Sequence, residues 1–216
     1  MGLLMDNNSS HTVRLIERVQ TGAAEALNGL WVRHRGRLRR MVEMRLDHRL
    51  HARIDASDVI QDTYVEVVQR LDEYLRDPRL PFFLWLRLVV GERLLKLHRQ
   101  HLGTQMRDAG HEVALYRGAL PQASSAALAA QLLGKHTAPS QAVVRAERVL
   151  RLQEALNTLD PIDREILALR HFEELTSGEA ARVLDIEEEV AAKRYVRALR
   201  RLKKILAALP GGLEGL

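Results

Sequence analysis

Residues 176–209 read TSGEAARVLDIEEEVAAKRYVRALRRLKKILAAL and contain the clearest structural signals in the chain. Thr176 and Glu179 have the spacing of a capping box, in which each side chain accepts a hydrogen bond from the other residue's amide. This pattern predicts a short helix ending near Leu184, a tight turn over 185–187 and then a much longer helix. An apolar stripe at alternating spacings of four and three runs along the longer helix: Ala191, Tyr195, Ala198, Leu202, Ile205 and Leu209.

The same long helix has a basic side opposite its apolar stripe. At about 100° per residue, that side gathers Lys193, Arg194, Arg197, Arg200, Arg201 and Lys204. Upstream, Asp160 is placed as a helix cap and Pro161 takes the first-turn position, so a supporting helix should precede the other two. Three helices, with a short turn between the last two and a basic face on the last, predict a helix-turn-helix for a DNA major groove. The alternative is that the basic face is ordinary solvated surface and does not bind DNA.

The composition favours a helical protein, and the sequence shows none of the motifs of an enzyme. The 216 residues have a net charge of +5, are 46% hydrophobic and only 4% aromatic, and include no cysteine. The absence of cysteine excludes disulfides and cysteine-ligated zinc. Two histidine pairs, His48 with His51 and His98 with His101, lack a further ligand in register, so no metal site is expected. No nucleophile–base constellation or phosphate-binding glycine loop is present, so we expect neither enzyme activity nor a cofactor.

Two further features concern localisation. No apolar run approaches the roughly 18 residues of a membrane span. The start, Met1–Ser10, lacks the basic segment and apolar core of a signal peptide. We therefore expect a cytoplasmic protein without membrane contact, and the basic excess points to a polyanionic partner.

The first half of the chain is predicted to be one compact helical domain over residues 11–102, after a disordered start over 1–10. A short helix over 12–20 should end at Gly22, and helix-favouring residues continue over 23–50.

Residues 55–74 predict an amphipathic helix capped by Asp55. Its buried stripe consists of Ile60, Tyr64, Val67, Leu71 and Tyr74. Its polar, mostly acidic side consists of Asp58, Gln61, Asp62 and Glu66. This side is either solvated surface, whose early aspartates compensate the helix dipole, or a face that docks another protein, since acidic groups would repel DNA.

A loop over 76–81, held by two prolines, leads into a helix from Phe82 to about His101. The first part of this helix is apolar nearly all round, which predicts burial, and Trp85 fits a core position better than a base-stacking one. The charged residues Arg87, Arg93, Lys96 and Arg99 are harder to bury unpaired and are expected at a surface. A basic helix with aromatic residues beside a rigid loop is also typical of single-strand binding.

Residues 103–139 are interrupted by glycine, proline and serine and are predicted to be a flexible linker. Within it, Ala126–Leu133 is apolar and predicted to form a short helix of unassigned role. A second helical domain is predicted over 140–209, in which Val149, Leu152, Leu156 and Leu159 pack onto the last three helices. Residues 210–216 are predicted to be a loose tail. The expected fold class is all-α, with two small helical domains joined by a linker.

Three segments in this order resemble bacterial RNA polymerase sigma factors, and the nearest match is the extracytoplasmic-function (ECF) subfamily. They are DASDVIQDT at 55–63, PFFLWLR at 81–87 and the terminal helix-turn-helix. The resemblance covers residues 12–100 and 142–206. Asp62 stands where the family more often has glutamate.

The resemblance implies a role for each segment. The acidic helix would dock on the clamp helices of the polymerase large subunit through Asp58, Gln61, Asp62 and Glu66. The 76–81 loop and the helix after it would capture and open the promoter's −10 element through Trp85, Arg87, Arg93, Lys96 and Arg99. The last helix, from Glu188 to Arg201, would read the −35 element through Lys193, Arg194, Arg197, Arg200 and Arg201.

One departure from the family concerns the first turn of that last helix. Glu187, Glu188 and Glu189 stand where family members carry small or polar residues. Acidic groups suit the positive end of a helix dipole but oppose phosphates. They are suited to accept hydrogen bonds from cytosine amino groups. The base sequence of the −35 element is therefore not predicted.

The sequence therefore predicts an ECF-type sigma factor that binds core RNA polymerase and directs promoter-specific transcription initiation. The alternatives are a helix-turn-helix regulator that does not dock on polymerase and a helical scaffold that binds only proteins. The expected partners are core RNA polymerase and promoter DNA. Control by an anti-sigma factor or another regulator is left open.

Overall fold

The computed structural model describes residues 3–102, 120–134 and 142–208, and all regular structure in these ranges is helical. Nine α-helices lie there: α1 (Leu3–Gln20), α2 (Ala24–Arg45), α3 (Ala56–Arg76), α4 (Phe82–Leu102), α5 (Ser125–Leu132), α6 (Ala142–Asn157), α7 (Pro161–Leu167), α8 (Ser177–Leu184) and α9 (Glu188–Ala208). A 3₁₀ turn follows α2 at His48–Leu50, and a π-helical turn extends α7 over Ala168–Phe172. The prediction of an all-α protein with two helical units is confirmed.

The first unit consists of α1–α4 around a single apolar core. An aromatic cluster lies where α4 begins, and the rings of Tyr74 and Trp85 stack there with centroids 4.6 Å apart. The Tyr74 hydroxyl donates a hydrogen bond to the carbonyl of Leu80 at 3.0 Å. Because this bond ties the end of α3 to the following loop, the loop over 77–81 is held at the start of α4. Across the three described ranges, none of the helices combines the length and apolar character that a bilayer crossing requires.

Helix α1 begins at Leu3, so the predicted disorder over 1–10 is wrong for residues 3–10. The prediction of disorder rested on the polar character of residues 7–10. Residues 3–20 contain no glycine or proline, however, and nothing in their sequence forces the helix to stop. The break comes at Gly22, whose φ of +87° is a conformation that glycine adopts without strain.

The second unit consists of α6–α9 with α5 packed against them. The helix predicted within the linker is present, but Leu128 and Ala129 on it are buried in the second core. The amide of Ser124 also donates to the carbonyl of Met44 at 2.9 Å. This part of the predicted linker is therefore an integral element of the fold. The rest of it, 103–119 and 135–139, and the predicted tail over 210–216 lie outside the described residues.

The two units are in direct contact. Met44 of α2 is buried in the second core, whereas Leu169 and Leu175 of the second unit are buried in the first. Charged side chains are buried between the cores as well: Arg45, Arg87, Glu165 and Glu173. Nothing in the sequence predicts this contact, because the amphipathic stripes of each unit can be buried within that unit alone.

Candidate nucleic-acid interface

The helix-turn-helix forms through the capping box that the sequence predicted. The Thr176 hydroxyl accepts a hydrogen bond from the amide of Glu179 at 3.1 Å, and the Glu179 carboxylate accepts one from the amide of Thr176 at 2.8 Å. At the other end of α8, Asp185 adopts a left-handed conformation with φ of 55°. The amide of Ile186 then donates to the carbonyl of Ala181 at 3.1 Å, which ends the helix and turns the chain into α9.

Helix α9 packs across α8 through small side chains. Ala181 on α8 and Ala191 on α9 are buried in the same core, which allows the two backbones to approach closely. Further along α9, Ala198 and Leu202 are buried, as the predicted stripe requires. The stripe residues Tyr195 and Ile205 are only partly buried, and Leu209 lies outside the described residues.

Three of the five arginine and lysine residues predicted to contact the −35 element converge on one buried carboxylate. Asp163 of α7 is fully buried and accepts hydrogen bonds from Arg194 at 2.9 Å and from Arg197 at 3.0 and 3.2 Å. Arg201 approaches the same carboxylate at 3.7 Å. Burial would raise the pKa of Asp163, but the hydrogen bonds and charges of Arg197 and Arg194 outweigh burial and lower it. These arginines therefore join α9 to α7.

The other two predicted residues, Lys193 and Arg200, lie on a different flank of α9 from the Asp163 cluster. Glu189, Lys193, Val196 and Arg200 follow one another at spacings of four, three and four, and all four are exposed. Lys193 pairs with Glu189 at 2.6 Å, but both side chains are more than 70% exposed, so this pair adds little stability. We call these four residues the outward stripe of α9. All four side chains are open to solvent along one flank of α9.

On α4, the structure corrects the prediction that Trp85 contacts the −10 element in this conformation. Trp85 is 7% exposed and packs between the rings of Tyr74 and Phe82, with centroids 4.6 and 5.6 Å away. Burying a large aromatic ring stabilises the fold. Trp85 is therefore a core residue here, and it has no face free to stack on a base.

Arg87 also departs from the prediction, because it is buried instead of lining a surface. Its side chain is 6% exposed, and its Nε donates to the Glu173 carboxylate at 2.7 Å. The expectation of exposure assumed an unpaired charge, which would be costly to bury. Glu173 comes from the second unit and supplies the missing partner. Burial would raise the pKa of Glu173, but Arg45 and Arg87 lower it, so the carboxylate is charged at neutral pH.

The last turns of α4 keep an exposed basic surface. Lys96 and Arg99 are both exposed there, as predicted. Arg93 lies one turn earlier and pairs with Asp62 at 2.5 Å and with Glu66 at 3.6 Å, both on α3. The structure thus divides the predicted −10 set into two buried residues, one residue paired with α3 and two that are free to contact phosphate.

Helix α3 presents its predicted acidic side to solvent. Asp58 and Asp55 form a capping box, so Asp58 also stabilises the helix start. Gln61 and Asp62 are exposed beyond it. Val65 and Val68 lie on the same side and are 56% and 46% exposed. The exposed side of α3 thus combines acidic groups with two exposed valines.

Sequence reasoning missed the exposed valines and the buried carboxylates of Asp163 and Glu173. Val65 and Val68 could have been found, because they are apolar residues outside the predicted stripe of α3. Asp163 could have been suspected from its place in the first turn of an apolar helix. Nothing local marks Glu173, because its partners are 86 or more positions away in the sequence.

The model of one protein family, Sigma-70, region 4, matches residues 155–204. The match begins near the end of α6 and includes α7, α8 and most of α9. It therefore spans the complete helix-turn-helix and the Asp163 cluster.

Relatives extend the similarity to the first unit. Over 154 residues the chain is 27% identical to the RNA polymerase sigma factor CnrH of Cupriavidus metallidurans, covering 71% of this chain and 74% of CnrH. Over 201 residues it is 22% identical to the ECF RNA polymerase sigma factor BldN of Streptomyces coelicolor, covering 93% of this chain and 68% of BldN. The solved structure of CnrH in complex with the cytosolic domain of CnrY superposes with a TM-score of 0.50 at 20% identity, over 94% of this chain and 99% of that one.

Proposed function

We propose that the chain is an ECF-type sigma factor of the sigma-70 family, to whose members it is similar, that it docks on core RNA polymerase through α3 and that it recognises promoters through α4 and α9. It directs promoter-specific transcription initiation in the cytoplasm, where polymerase and DNA lie. In this proposal the first unit, α1–α4, provides core and −10 binding, and the second unit, α6–α9, provides −35 binding. The segment over 120–134 belongs with the second unit.

The observation that supports docking best is the exposed face of α3. An ordinary helix-turn-helix regulator needs no second unit with a face that combines acidic groups with exposed valines. Acidic side chains here would repel DNA, so the favoured partner is a protein with a basic surface. We assign this face to the clamp helices of the polymerase large subunit.

For the −35 element, the proposed groove-facing residues are those of the outward stripe of α9. Lys193 and Arg200 are suited to phosphate or guanine, and Glu189 is suited to accept a hydrogen bond from a cytosine amino group. Arg194, Arg197 and Arg201 orient α9 on α7 through Asp163 and keep some donors for phosphate, since Arg197 and Arg201 are about half exposed. Lys96 and Arg99 of α4 are the proposed contacts to the −10 DNA.

The experiment that tests the function is transcription in vitro with purified core polymerase on a library of randomised promoters. The expected result is a set of transcripts that share two elements upstream of the start site. Retention of promoter binding without any dependence on core polymerase would favour the regulator instead. An anti-sigma factor as a further partner stays a proposal, and co-purification from the native host would test it.

Replacing Val65 by arginine is expected to weaken core-polymerase binding at least tenfold. The substitution places a positive charge and a longer side chain in the middle of the proposed docking face. Val65 is 56% exposed, so the fold should be unaffected. The measurement is the dissociation constant for labelled core enzyme. Val144→Arg on α6 is the matched control, because Val144 is 51% exposed and lies outside every proposed interface. Equal affinity of the two variants would contradict the assignment.

Alanine substitutions should separate the outward stripe from the Asp163 cluster. Arg200→Ala is expected to weaken binding to all duplexes alike. It should also lower the salt dependence of the DNA-binding constant by about one released counterion. Arg194→Ala should instead lower the free energy of unfolding by about 1–3 kcal/mol, because the buried Asp163 loses a charged hydrogen bond. Salt-dependent DNA titration and urea denaturation measure the two effects. If Arg194→Ala lost DNA affinity without losing stability, Arg194 would be a DNA contact in the groove and not a link between α9 and α7.

A further inference from the structure

A cleft of about 420 Å³ lies against the middle of α2, away from the proposed contacts of α3, α4 and α9. Four arginines of α2 line it: Arg33, Arg35, Arg37 and Arg40. Among the described residues that line the cleft, Glu174 is the only one with a carboxylate. We call this the arginine cleft. Because guanidinium groups stay charged at neutral pH, the cleft is strongly positive.

The spacing of the arginines explains why they meet there. Arg33, Arg37 and Arg40 follow one another at spacings of four and three, which places them along one face of a helix. The guanidinium of Arg37 lies over the ring of Phe83, 3.6 Å from its centroid. This contact holds Arg37 at the buried end of the cleft, whereas Arg35 is exposed at the other end.

The arginines of the cleft already bind oxygen atoms, and they do not use all their donors in doing so. Arg37 donates to the carbonyls of Glu173 at 2.7 Å and Glu174 at 3.0 Å. Arg40 donates to the carbonyl of Phe172 at 2.7 Å and to the carboxylate of Glu174. A guanidinium has five N–H donors. In the described part of the chain, each of these two arginines therefore keeps N–H groups that have no acceptor.

His34 also lines the cleft, and it is a buried polar side chain without a partner. It is 3% exposed and packs against the rings of Phe82 and Phe83. Neither of its ring nitrogens has a hydrogen-bond partner among the described residues. Burial, followed by the charges of Arg37 and Arg33, lowers the pKa of His34 to about 3. The neutral ring keeps one N–H donor, and leaving a buried donor without an acceptor costs free energy.

Gly36 leaves the backbone of α2 uncovered in the cleft. A Cβ atom at this position would meet no atom within 4 Å, so packing does not require glycine here. Glycine in a helix interior is less stable than alanine. The local effect of Gly36 is to let a ligand approach the helix closely between the arginines.

These observations point to a ligand with several phosphate oxygens. Guanidinium groups bind phosphate through paired, charge-assisted hydrogen bonds, and a phosphate oxygen would accept the free N–H of His34. The volume of the cleft is that of a small-molecule site and exceeds what one phosphate group needs. A terminal phosphate can reach His34 and Arg37 at the buried end, whereas a phosphate in a DNA backbone is flanked by sugars on both sides. We infer that the arginine cleft binds a small anion with two or more phosphate groups, either inorganic pyrophosphate or the diphosphate of a nucleotide.

Calorimetric titration of the full chain with pyrophosphate tests the inference. The expected result is saturable binding of one pyrophosphate to each chain. Arg35→Ala should raise the dissociation constant about tenfold, because a charge-assisted contact is lost. Arg39→Ala is the matched control, since Arg39 is another exposed arginine of α2 but lies outside the cleft and pairs with Glu43 at 3.1 Å. Absence of binding, or equal effects of the two substitutions, overturns the inference.

Two substitutions test the buried end of the cleft. His34→Phe keeps an aromatic ring beside Phe82 and Phe83 but removes the N–H donor, so the dissociation constant should rise about tenfold. Gly36→Leu serves as a second variant that does not disturb the core, because its side chain enters open space and leucine favours a helix. It should fill the cleft and weaken pyrophosphate binding while the helicity is unchanged. Wild-type affinity of both folded variants overturns the inference.

Glu174→Gln distinguishes a ligand site from a merely structural cluster. The Glu174 carboxylate is 52% exposed at the rim and pairs with Arg40, so it competes with an incoming anion. Glutamine removes its charge, and the dissociation constant for pyrophosphate should fall about threefold. If the arginines served only to bind residues 172–174, removing this carboxylate would not tighten binding of an anion. Weaker pyrophosphate binding by Glu174→Gln therefore overturns the inference.

Competing ligands identify the source of the phosphate. Tighter binding of ADP than of pyrophosphate would assign the cleft to nucleotides, and equal or weaker binding would assign it to inorganic polyphosphate. A single-stranded oligonucleotide of random sequence is the third ligand. If Arg35→Ala and His34→Phe weakened its binding as much as that of pyrophosphate, the cleft would be a nucleic-acid surface and the inference would be wrong.

Discussion

Replacing Arg45 by methionine is expected to cost the contact between the two units about 3–5 kcal/mol, because two buried carboxylates would be left with one arginine. Arg45 is fully buried and pairs with both Glu165 and Glu173. Each unit keeps its own apolar core, so the loss should uncouple the units and leave their helices folded. The expected result is that a single denaturation transition becomes two. Circular dichroism and intrinsic fluorescence, followed together in urea, would measure this change.

The control for Arg45→Met restores the balance of charge. Arg45→Met with Glu165→Gln leaves Arg87 and Glu173 as one buried pair. The glutamine oxygen can still accept the hydrogen bond that the amide of Ala123 donates to Glu165 at 2.8 Å. This double variant should regain most of the coupling and return to one transition. If both variants behaved like the wild type, the ion pairs would contribute nothing to the contact.

Local signals in the sequence were sufficient for the helix-turn-helix. Thr176 with Glu179 and Asp160 with Pro161 determine where helices begin, and the structure has α8 and α7 starting at those caps. The apolar stripes of α3 and α9 were predicted by spacing alone, since a helix must bury one face. Such features depend on residues three or four positions apart, which a sequence displays directly.

The direction of each charged side chain was not predictable in the same way. Arg194 and Arg200 belong to one basic run, yet Arg194 reaches the buried Asp163 and Arg200 faces solvent. The distinction depends on where α7 crosses α9. Arg87 was expected at a surface because a buried unpaired charge is costly, and its partner Glu173 lies 86 positions away. Single-sequence reasoning therefore found the basic helices and could not tell groove contacts from internal pairs.

The exposed end of α4 has the largest expected effect on function. Lys96→Glu with Arg99→Glu reverses the charge of the only two residues of the predicted −10 set that are exposed in the described structure. Flipping a base out of the duplex costs a few kcal/mol, and two lysine or arginine contacts to phosphate would offset part of that cost. Like charges facing the DNA would add several kcal/mol to the barrier instead. We expect transcription from a duplex promoter to fall at least a hundredfold, while core binding and helicity persist.

A template with a pre-melted bubble locates the step that Lys96→Glu with Arg99→Glu impairs. If the lost step is opening, the bubble should restore part of the activity, because unpairing has already been supplied. If the lost step is attachment, the bubble should restore little. Arg14→Glu with Arg18→Glu on α1 is the matched control, since both residues are exposed and the net charge changes equally. It should transcribe the duplex promoter at close to the wild-type rate. Full duplex activity of the α4 variant would mean that α4 serves only to pack the first unit.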